Sequence, residues 1–343
     1  MRRTTSQSLI LSALLAAVLL SGCRGVNSGY VQIQGYAQGG TYHIIYHKPA
    51  GVDGKAVESS VDSLLAAIDN SLSGYNKGSI LSRFNRGEDP ALDGLFVECF
   101  LRSKQIWLES DGAFDPSAAP FFDLWGFGFE SGREVSQSAI DSLWGAVGME
   151  KFSLEERADG THLKKASDAC RLNFNAIAQG FSCDVIASLL QDFGVEDYLV
   201  EVGREIVCKG LSQRGDLWNI GLDRPSDGNL EEGKDLQDVF AVTDRGVVTS
   251  GNYRKFYIKD GQKYAHTIDP RTGRPVSHSL LSATVFAEDA TTADAYATWF
   301  MVIGLDRAVE ALQQMPGIDA YLVYDEDGQM KVRQTEGCNA RNN

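Results

Sequence analysis

Apolar residues recur along the chain with two periods, and the switches between them mark out the elements. Val31 and Ile33 alternate with Gln32 and Gln34, and Thr41–His47 follows Gly39-Gly40, so strands open the folded part. From Ala56 the period changes. Val57, Val61, Leu64, Leu65, Ile68 and Leu72 fall on one helical stripe. Tyr75–Asn85 reads as a loop and a single helical turn. Leu95–Ser110 reads as a second long helix anchored by Phe96, Phe100 and Trp107. Ser136 is positioned to cap a helix running to about Val147. Strands are expected near Lys151–Leu154, Thr161–Lys164 and Cys170–Phe174, and a helix then runs through Leu190. Tyr198–Val202, Ile206–Lys209 and Trp218–Leu222 read as strands, and Ser226–Asp238 as a solvated hairpin tip or short insertion. Phe240–Thr243 and Val247–Ser250 read as paired strands, and Arg254–Lys259 with Gln262–Thr267 as a hairpin about Asp260-Gly261. Helices follow at Thr291–Ile303 and Asp306–Gln314, then a last hairpin at Tyr321–Tyr324 and Met330–Val332. Strands cluster in hairpins, which predicts an α+β fold of mostly antiparallel sheets packed by helices.

Composition narrows the function more than the fold. At 343 residues, 43% hydrophobic and 23% charged, the chain is ordinary globular material. Forty-six acids against 32 bases give a net charge of −14. That argues against a nucleic-acid binder.

Residues 1–22 read as a targeting segment: Arg2 and Arg3, the apolar run Leu9–Leu20, then Leu20-Ser21-Gly22-Cys23. The pattern is that of a bacterial lipoprotein signal, with acylation at Cys23 and a tether over residues 23–29. It predicts a protein lipid-anchored on the periplasmic side of a bacterial membrane. A plain secretory peptide with an incidental Cys is the simpler alternative. Cys99, Cys170, Cys183, Cys208 and Cys338 remain, with no CxxC spacing. Cys99 and Cys183 read as core thiols, and one disulfide is open.

Candidate chemistry gathers between Tyr264 and Thr298. His266 lies just before an Asp269-Pro270-Arg271-Thr272-Gly273 turn, and Asp294 and Thr298 are spaced to share one helix face. Oxygen ligands beside a donor-rich turn suit Mg²⁺ and a phosphate ester. A hairpin followed by a core helix explains the same residues. Elsewhere, Tyr75 is a stacking candidate for a planar ligand, or a packing cap on its helix. The aromatics Phe114, Phe121, Phe122, Trp125, Phe127 and Phe129 form either a core plug or a pocket wall. Asn173–Gly180 passes from an extended segment through small residues into a helix, presenting free backbone groups.

These turns, in their order, resemble the FAD:protein FMN transferases, the flavin transferase (ApbE) family, over roughly Tyr30–Val332. The resemblance is carried by Gly40-Thr41-x-His43, Ser73-x-Tyr75 with Ser82-Arg83-Phe84-Asn85, Gly112-Ala113-Phe114-Asp115-Pro116 and Asp123-Leu124-Trp125-Gly126-Phe127-Gly128. It continues through Ala176-Ile177-Ala178-x-Gly180, Val200-Glu201-x-Gly203 and Thr249-Ser250-Gly251-x-Tyr253. It ends with His266-x-Ile268-Asp269-Pro270-x-Thr272-Gly273-x-Pro275 and Ala293-Asp294-Ala295-x-Ala297-Thr298. The resemblance implies an ApbE-like, T-fold-related catalytic domain over residues 30–335, with a short tail at 336–343. It implies Mg²⁺-dependent transfer of FMN from FAD, through its phosphate, to a Thr hydroxyl of flavin-accepting subunits of membrane redox complexes, releasing AMP. By position, FAD contacts fall at Gln38, Tyr75, Ala113, Phe114, Asp115, Asn173, Gln179 and Ile268. Metal ligands fall at the Ala176 carbonyl, Asp294 and Thr298. His266 is the expected proton acceptor or phosphate contact, and Asp294 the orienter of the incoming hydroxyl.

The chain departs from the family pattern. Asn173, Asn175, Gln179, Arg204 and Gln38 stand where the family usually has Asp, Gly, Lys, Gly and Met. Losing a Lys beside a phosphate removes charge that favours the transition state, and Arg204 is a candidate to replace it. The rival readings are an FAD pyrophosphatase, a non-catalytic flavin-binding lipoprotein, a glycosidase-like hydrolase using Asp115 and Asp123, and a structural surface protein.

Overall fold

The computed structural model describes residues 29–128, 135–225, 233–252, 256–259 and 262–338. The signal segment, Cys23, most of the tether, Phe129, residues 226–232 of the acidic insertion, Tyr253, Arg254, the Asp260-Gly261 turn and the last five residues lie outside these.

Strands β1 (Tyr30–Ala37) and β2 (Gly40–His47) form a hairpin about Gln38-Gly39. Both turn residues have positive φ, 52° and 77°, which suits the twist of a two-residue hairpin. Helices α1 (Gly54–Leu72), α2 (Ile80–Asn85) and α3 (Gly94–Glu109) follow, capped by Asp53, Ser79 and Asp93. In α1 the predicted stripe is the buried one, with Leu64 half-buried at its margin. Then come α4 (Ala119–Trp125), α5 (Gln137–Asp141) and the hairpin of β3 (Phe152–Arg157) and β4 (Gly160–Lys165). Next are α6 (Ala178–Asp192), β5 (Tyr198–Val202), β6 (Glu205–Lys209), β7 (Trp218–Asp223), β8 (Leu236–Val242) and β9 (Arg245–Gly251). Two short pairs, β10 (Phe256–Lys259) with β11 (Gln262–Ala265) and β12 (Ile268–Asp269) with β13 (Arg274–Pro275), precede β14 (Leu280–Ala287). The chain closes with α7 (Ala290–Ile303), α8 (Leu305–Leu312), β15 (Asp319–Glu326) and β16 (Gln329–Gln334).

Eight strands form one sheet in the order β1-β2-β5-β6-β9-β14-β15-β16, with antiparallel pairing throughout. The expected α+β class is therefore what the chain forms. Strand alternation divides the sheet into two faces. Tyr42, Ile44, Val200, Val202, Val207, Val248, Val285 and Leu322 join the core beneath α1, α6 and α7. Leu199, Cys208, Val247, Phe286, Tyr321 and Val323 face the other way, onto the β7–β8 hairpin.

Four expectations change. Phe240–Thr243 and Val247–Ser250 do not pair with each other: β8 pairs with β7, and β9 with β6 and β14. Thr243 and Asp244 carry the chain between layers, Asp244 at φ 53° and Thr243 Oγ1 donating to the Gly210 carbonyl at 2.7 Å. Cys170–Phe174 alternates in burial as a strand does but joins no ladder. The side chain of Asn85 accepts from Leu172 N at 2.9 Å and donates to Leu172 O at 2.8 Å. Asn173 N donates to Pro116 O at 2.8 Å, so the backbone is satisfied without a partner strand. The helix capped by Ser136 stops at Asp141 rather than near Val147, because glycines at 145 and 148 interrupt the run and leave only a 3₁₀ turn at Trp144–Ala146. Cys99, Cys170, Cys183, Cys208 and Cys338 are all buried free thiols, so the open disulfide does not form among them.

Candidate active site

The turn of the Asp269-Pro270 motif is held locally and from one side. Asp269 O accepts from Thr272 N and Gly273 N, and its carboxylate pairs with Arg271 at 2.9 Å. Gly273, at φ 65°, lies so close to Phe121 and Ile140 that a Cβ would approach them within 3 Å. Trp125 Nε1 donates to Gly273 O at 2.8 Å. The aromatic segment is thus both of the things its sequence allowed. Phe121 belongs to a small core with Ile140 and Ile268, while Phe114, Phe122 and Phe127 face a cavity.

That cavity has a volume of ≈ 300 Å³. Tyr75, Ala113, Phe114, Asp115, Asn173, Ala176, His266, Ile268, Asp294 and Thr298 all line it. Gln38 and Gln179 line an adjoining cavity of ≈ 650 Å³ instead. Tyr75 and Asn175 border both cavities, and Asn175 Nδ2 donates to the Tyr75 hydroxyl at 3.2 Å. Tyr75 is 70% exposed, so it stands at the mouth between the cavities and does not act as a packing cap. Asn175 is held in turn by an Asx turn, its N–H donating to Asn173 Oδ1 at 2.9 Å.

Asp294 is 4% exposed within α7. Its Oδ2 accepts from Gly180 N at 3.1 Å, which ties α7 to the start of α6. A Cβ at Gly180 would meet Ala290 O at 2.3 Å and Asp294 Cβ at 2.8 Å, so only glycine permits this approach. Burial pushes the Asp294 carboxyl up to about 7 despite that hydrogen bond. Thr298, one turn along, shares a hydrogen bond of 3.3 Å with Ser250 of β9. Asp115 caps the 3₁₀ turn Pro116–Ala118, accepting from Ser117 N at 2.8 Å and Ser117 Oγ at 2.5 Å, and burial raises it to about 6. His266 meets Phe127 edge to face, ring centroids 6.5 Å apart.

Gln38 Nε2 donates to Ser182 Oγ at 2.6 Å, joining the first hairpin to α6. Gln179 lies over the β5–β6 turn, where a Cβ on Gly203 would fall 2.0 Å from its Nε2. Arg204 lines neither cavity of the site. It borders a third, of ≈ 390 Å³, with His43 and Glu201 beneath the β7–β8 hairpin. It therefore does not stand in for the usual Lys at Gln179. Asp123 lies outside the lining of the ≈ 300 Å³ cavity and faces Arg171 at 3.4 Å, so it makes no acid pair with Asp115 across that cavity. The glycosidase-like reading loses its support.

Sequence reasoning missed Glu205 as a site residue. It lines the ≈ 300 Å³ cavity, and burial, then the charge of Asp294, push its carboxyl well above the usual range. The signal was its place one residue past the Gly203-Arg204 turn. Asn85, which ends the Ser82-Arg83-Phe84-Asn85 motif, holds the backbone before Asn173.

A model of the ApbE family matches residues 38–322. The FAD:protein FMN transferase of Vibrio cholerae is 33% identical over 93% of this chain and 94% of its own. That of Escherichia coli is 31% identical over 82% and 81%. The solved structure of flavin transferase ApbE from Vibrio cholerae matches with a TM-score of 0.78 at 31% identity, over 90% of this chain and 97% of that one. The apo form of Pseudomonas stutzeri flavinyl transferase ApbE matches with the same TM-score of 0.78 at 30% identity, over 90% and 95%. With matching motifs, a matching fold and a family match over most of its length, the chain belongs to the ApbE family.

Proposed function

We propose that the protein transfers FMN from FAD to a Thr hydroxyl of a partner flavoprotein subunit, with Mg²⁺, releasing AMP. The observation that carries this reading is the joined pair of cavities. Tyr75 stands between them, and a buried carboxyl, a hydroxyl and an imidazole converge on one of them. A dinucleotide has two ends and a pyrophosphate between, and the two spaces suit such a ligand.

Asp294, Thr298 and the Ala176 carbonyl would hold the cation. All three are hard oxygen donors, and the buried Asp294 charge favours a positive partner. When bound, Mg²⁺ supplies charge neutralisation on the pyrophosphate. Phe114, Phe122 and Phe127 give the flavin ring an apolar wall and exclude water. In the transfer, the acceptor Thr oxygen bonds to the FMN phosphorus and the bond from that phosphorus to the bridging oxygen breaks. AMP leaves with the bridging oxygen, and His266 accepts the hydroxyl proton.

The decisive experiment incubates the protein with FAD, Mg²⁺ and a flavin-carrier subunit, followed by mass analysis of that subunit. The expected result is FMN esterified to Thr with equimolar AMP. AMP release without the adduct favours a pyrophosphatase, and binding without AMP favours a flavin-binding protein. At saturating FAD, His266→Ala is expected to abolish transfer, and intact transfer would remove His266 from the chemistry.

The Arg2–Cys23 pattern supports a lipid anchor at Cys23 on the periplasmic side, where flavin-accepting subunits of membrane redox complexes would be reached. Fatty-acid labelling lost in Cys23→Ala tests this, and labelling that persists overturns it.

A further inference from the structure

Glu205 opens β6, and strand register fixes where its side chain points. It pairs with Val202 across the β5–β6 turn, and partners in a ladder share a face. Val202 is fully buried in the core beneath the helices. The turn residues Gly203 and Arg204 both have positive φ, 64° and 90°, as a two-residue hairpin requires. Glu205 is therefore turned toward α7, and Arg204 toward the opposite face.

Glu205 lines the same cavity as Ala176, Asp294 and Thr298. Part of its surface looks into that cavity, but its Oε2 atom is fully buried and has no hydrogen-bond partner. Buried acceptors in native proteins are almost always partnered. No Lys or Arg is among the described residues lining the cavity, while Asp294 and Glu205 both line it. Two carboxyls on one cavity, one with an orphaned acceptor, fit a cation with its own water shell.

Resting on the Mg²⁺ reading above, we propose that Glu205 is a positioning residue for that ion. Its carboxyl would accept a hydrogen bond from a water in the shell of an ion that Ala176, Asp294 and Thr298 would hold. Mg²⁺ keeps several waters when protein-bound, and partners that orient such a shell set metal affinity. The role belongs to the side chain's carboxyl, and Glu205 needs no contact with the flavin or the reacting phosphorus.

The test is Mg²⁺ titration by calorimetry of the full mature chain, with and without FAD, and thermal unfolding at matched Mg²⁺. Glu205→Gln keeps the shape and removes the ionisable carboxyl. It is expected to weaken Mg²⁺ binding about 10- to 100-fold, the range for losing such a partner. Its unfolding temperature is also expected to gain less from added Mg²⁺ than that of wild type. Glu205→Asp should recover part of the affinity. A purely structural role would leave the Mg²⁺-dependent gain unchanged. Wild-type and Glu205→Gln dissociation constants within twofold of each other overturn the proposal. If wild type itself binds no Mg²⁺, the metal reading fails, and this inference falls with it.

Discussion

The two faces of the eight-stranded sheet are built from the same strands, one residue out of step, yet they do different work. The face under the β7–β8 hairpin is packed by large rings. Phe240 meets Phe286 and Tyr321 with centroids 5.2 Å and 5.3 Å apart, and Trp218, Ile220 and Leu222 fill the rest. The face under α7 meets small residues, Ala290, Ala293, Ala295 and Ala297, which let helix and strands approach closely. There the buried Asp294 meets the same cavity as the half-buried Glu205, Ser250 and Thr298. Packing with rings gives one face stability without chemistry. Small residues on the other leave the backbone close and carboxyls desolvated, and desolvation perturbs their protonation. A strand's period of two is what keeps these separate.

The sharpest way to break this comparison is Asp294→Ala. It should lower FMN transfer on the order of a thousandfold, the scale of losing one group that stabilises transition-state charge, while circular dichroism stays native. Transfer at near wild-type rate would mean that the chemistry does not lie on the helix face.

Phe240→Ala probes the opposite face. Removing a fully buried ring should lower stability by about 3–5 kcal/mol in urea unfolding. Turnover of the protein that remains folded should be unchanged. A kcat that fell in proportion would couple the faces.

Asp184 tests burial against capping on the helix face. It accepts from Ala290 N at 2.9 Å and Thr291 N at 2.7 Å, yet burial pushes it up to about 6. An acid whose folded value is raised binds more protons folded than unfolded between about 4 and 6, so its contribution favours the folded state at low pH. Stability should therefore fall by about 1–3 kcal/mol across that window and level above it. Asp184→Asn should flatten that component, as read from unfolding midpoints against pH. An unchanged slope would assign it to other groups.

The smallest effect belongs to Arg204→Gly. Relieving a non-glycine residue at φ 90° should stabilise the protein by about 1 kcal/mol. FMN transfer should stay the same, since Arg204 lines the cavity on the hairpin side. A loss of transfer would show that this side reaches the reaction after all.

The sequence by itself determined the elements whose signal is local. The α1 stripe, the cap at Ser136, the Asp269-Pro270 turn and the hairpins closed by short turns are set by neighbours a few residues apart. The motif order likewise carried the family before any contact was known. Tertiary structure decided which strands pair and which face each side chain takes. Phe240–Thr243 and Val247–Ser250 look like partners in sequence, but β8 and β9 answer to different ladders. Cys170–Phe174 has a strand's alternation, and a single distant side chain, Asn85, makes the ladder unnecessary. Gln179 and Arg204 each depart from the family pattern. The start of α6 puts Gln179 beside the site, and the β5–β6 turn puts Arg204 on the hairpin side. Glu205 was unreadable for the same reason. Its meaning depends on desolvation and on Asp294, brought close by α7 packing on the sheet, and neither leaves a period in the chain.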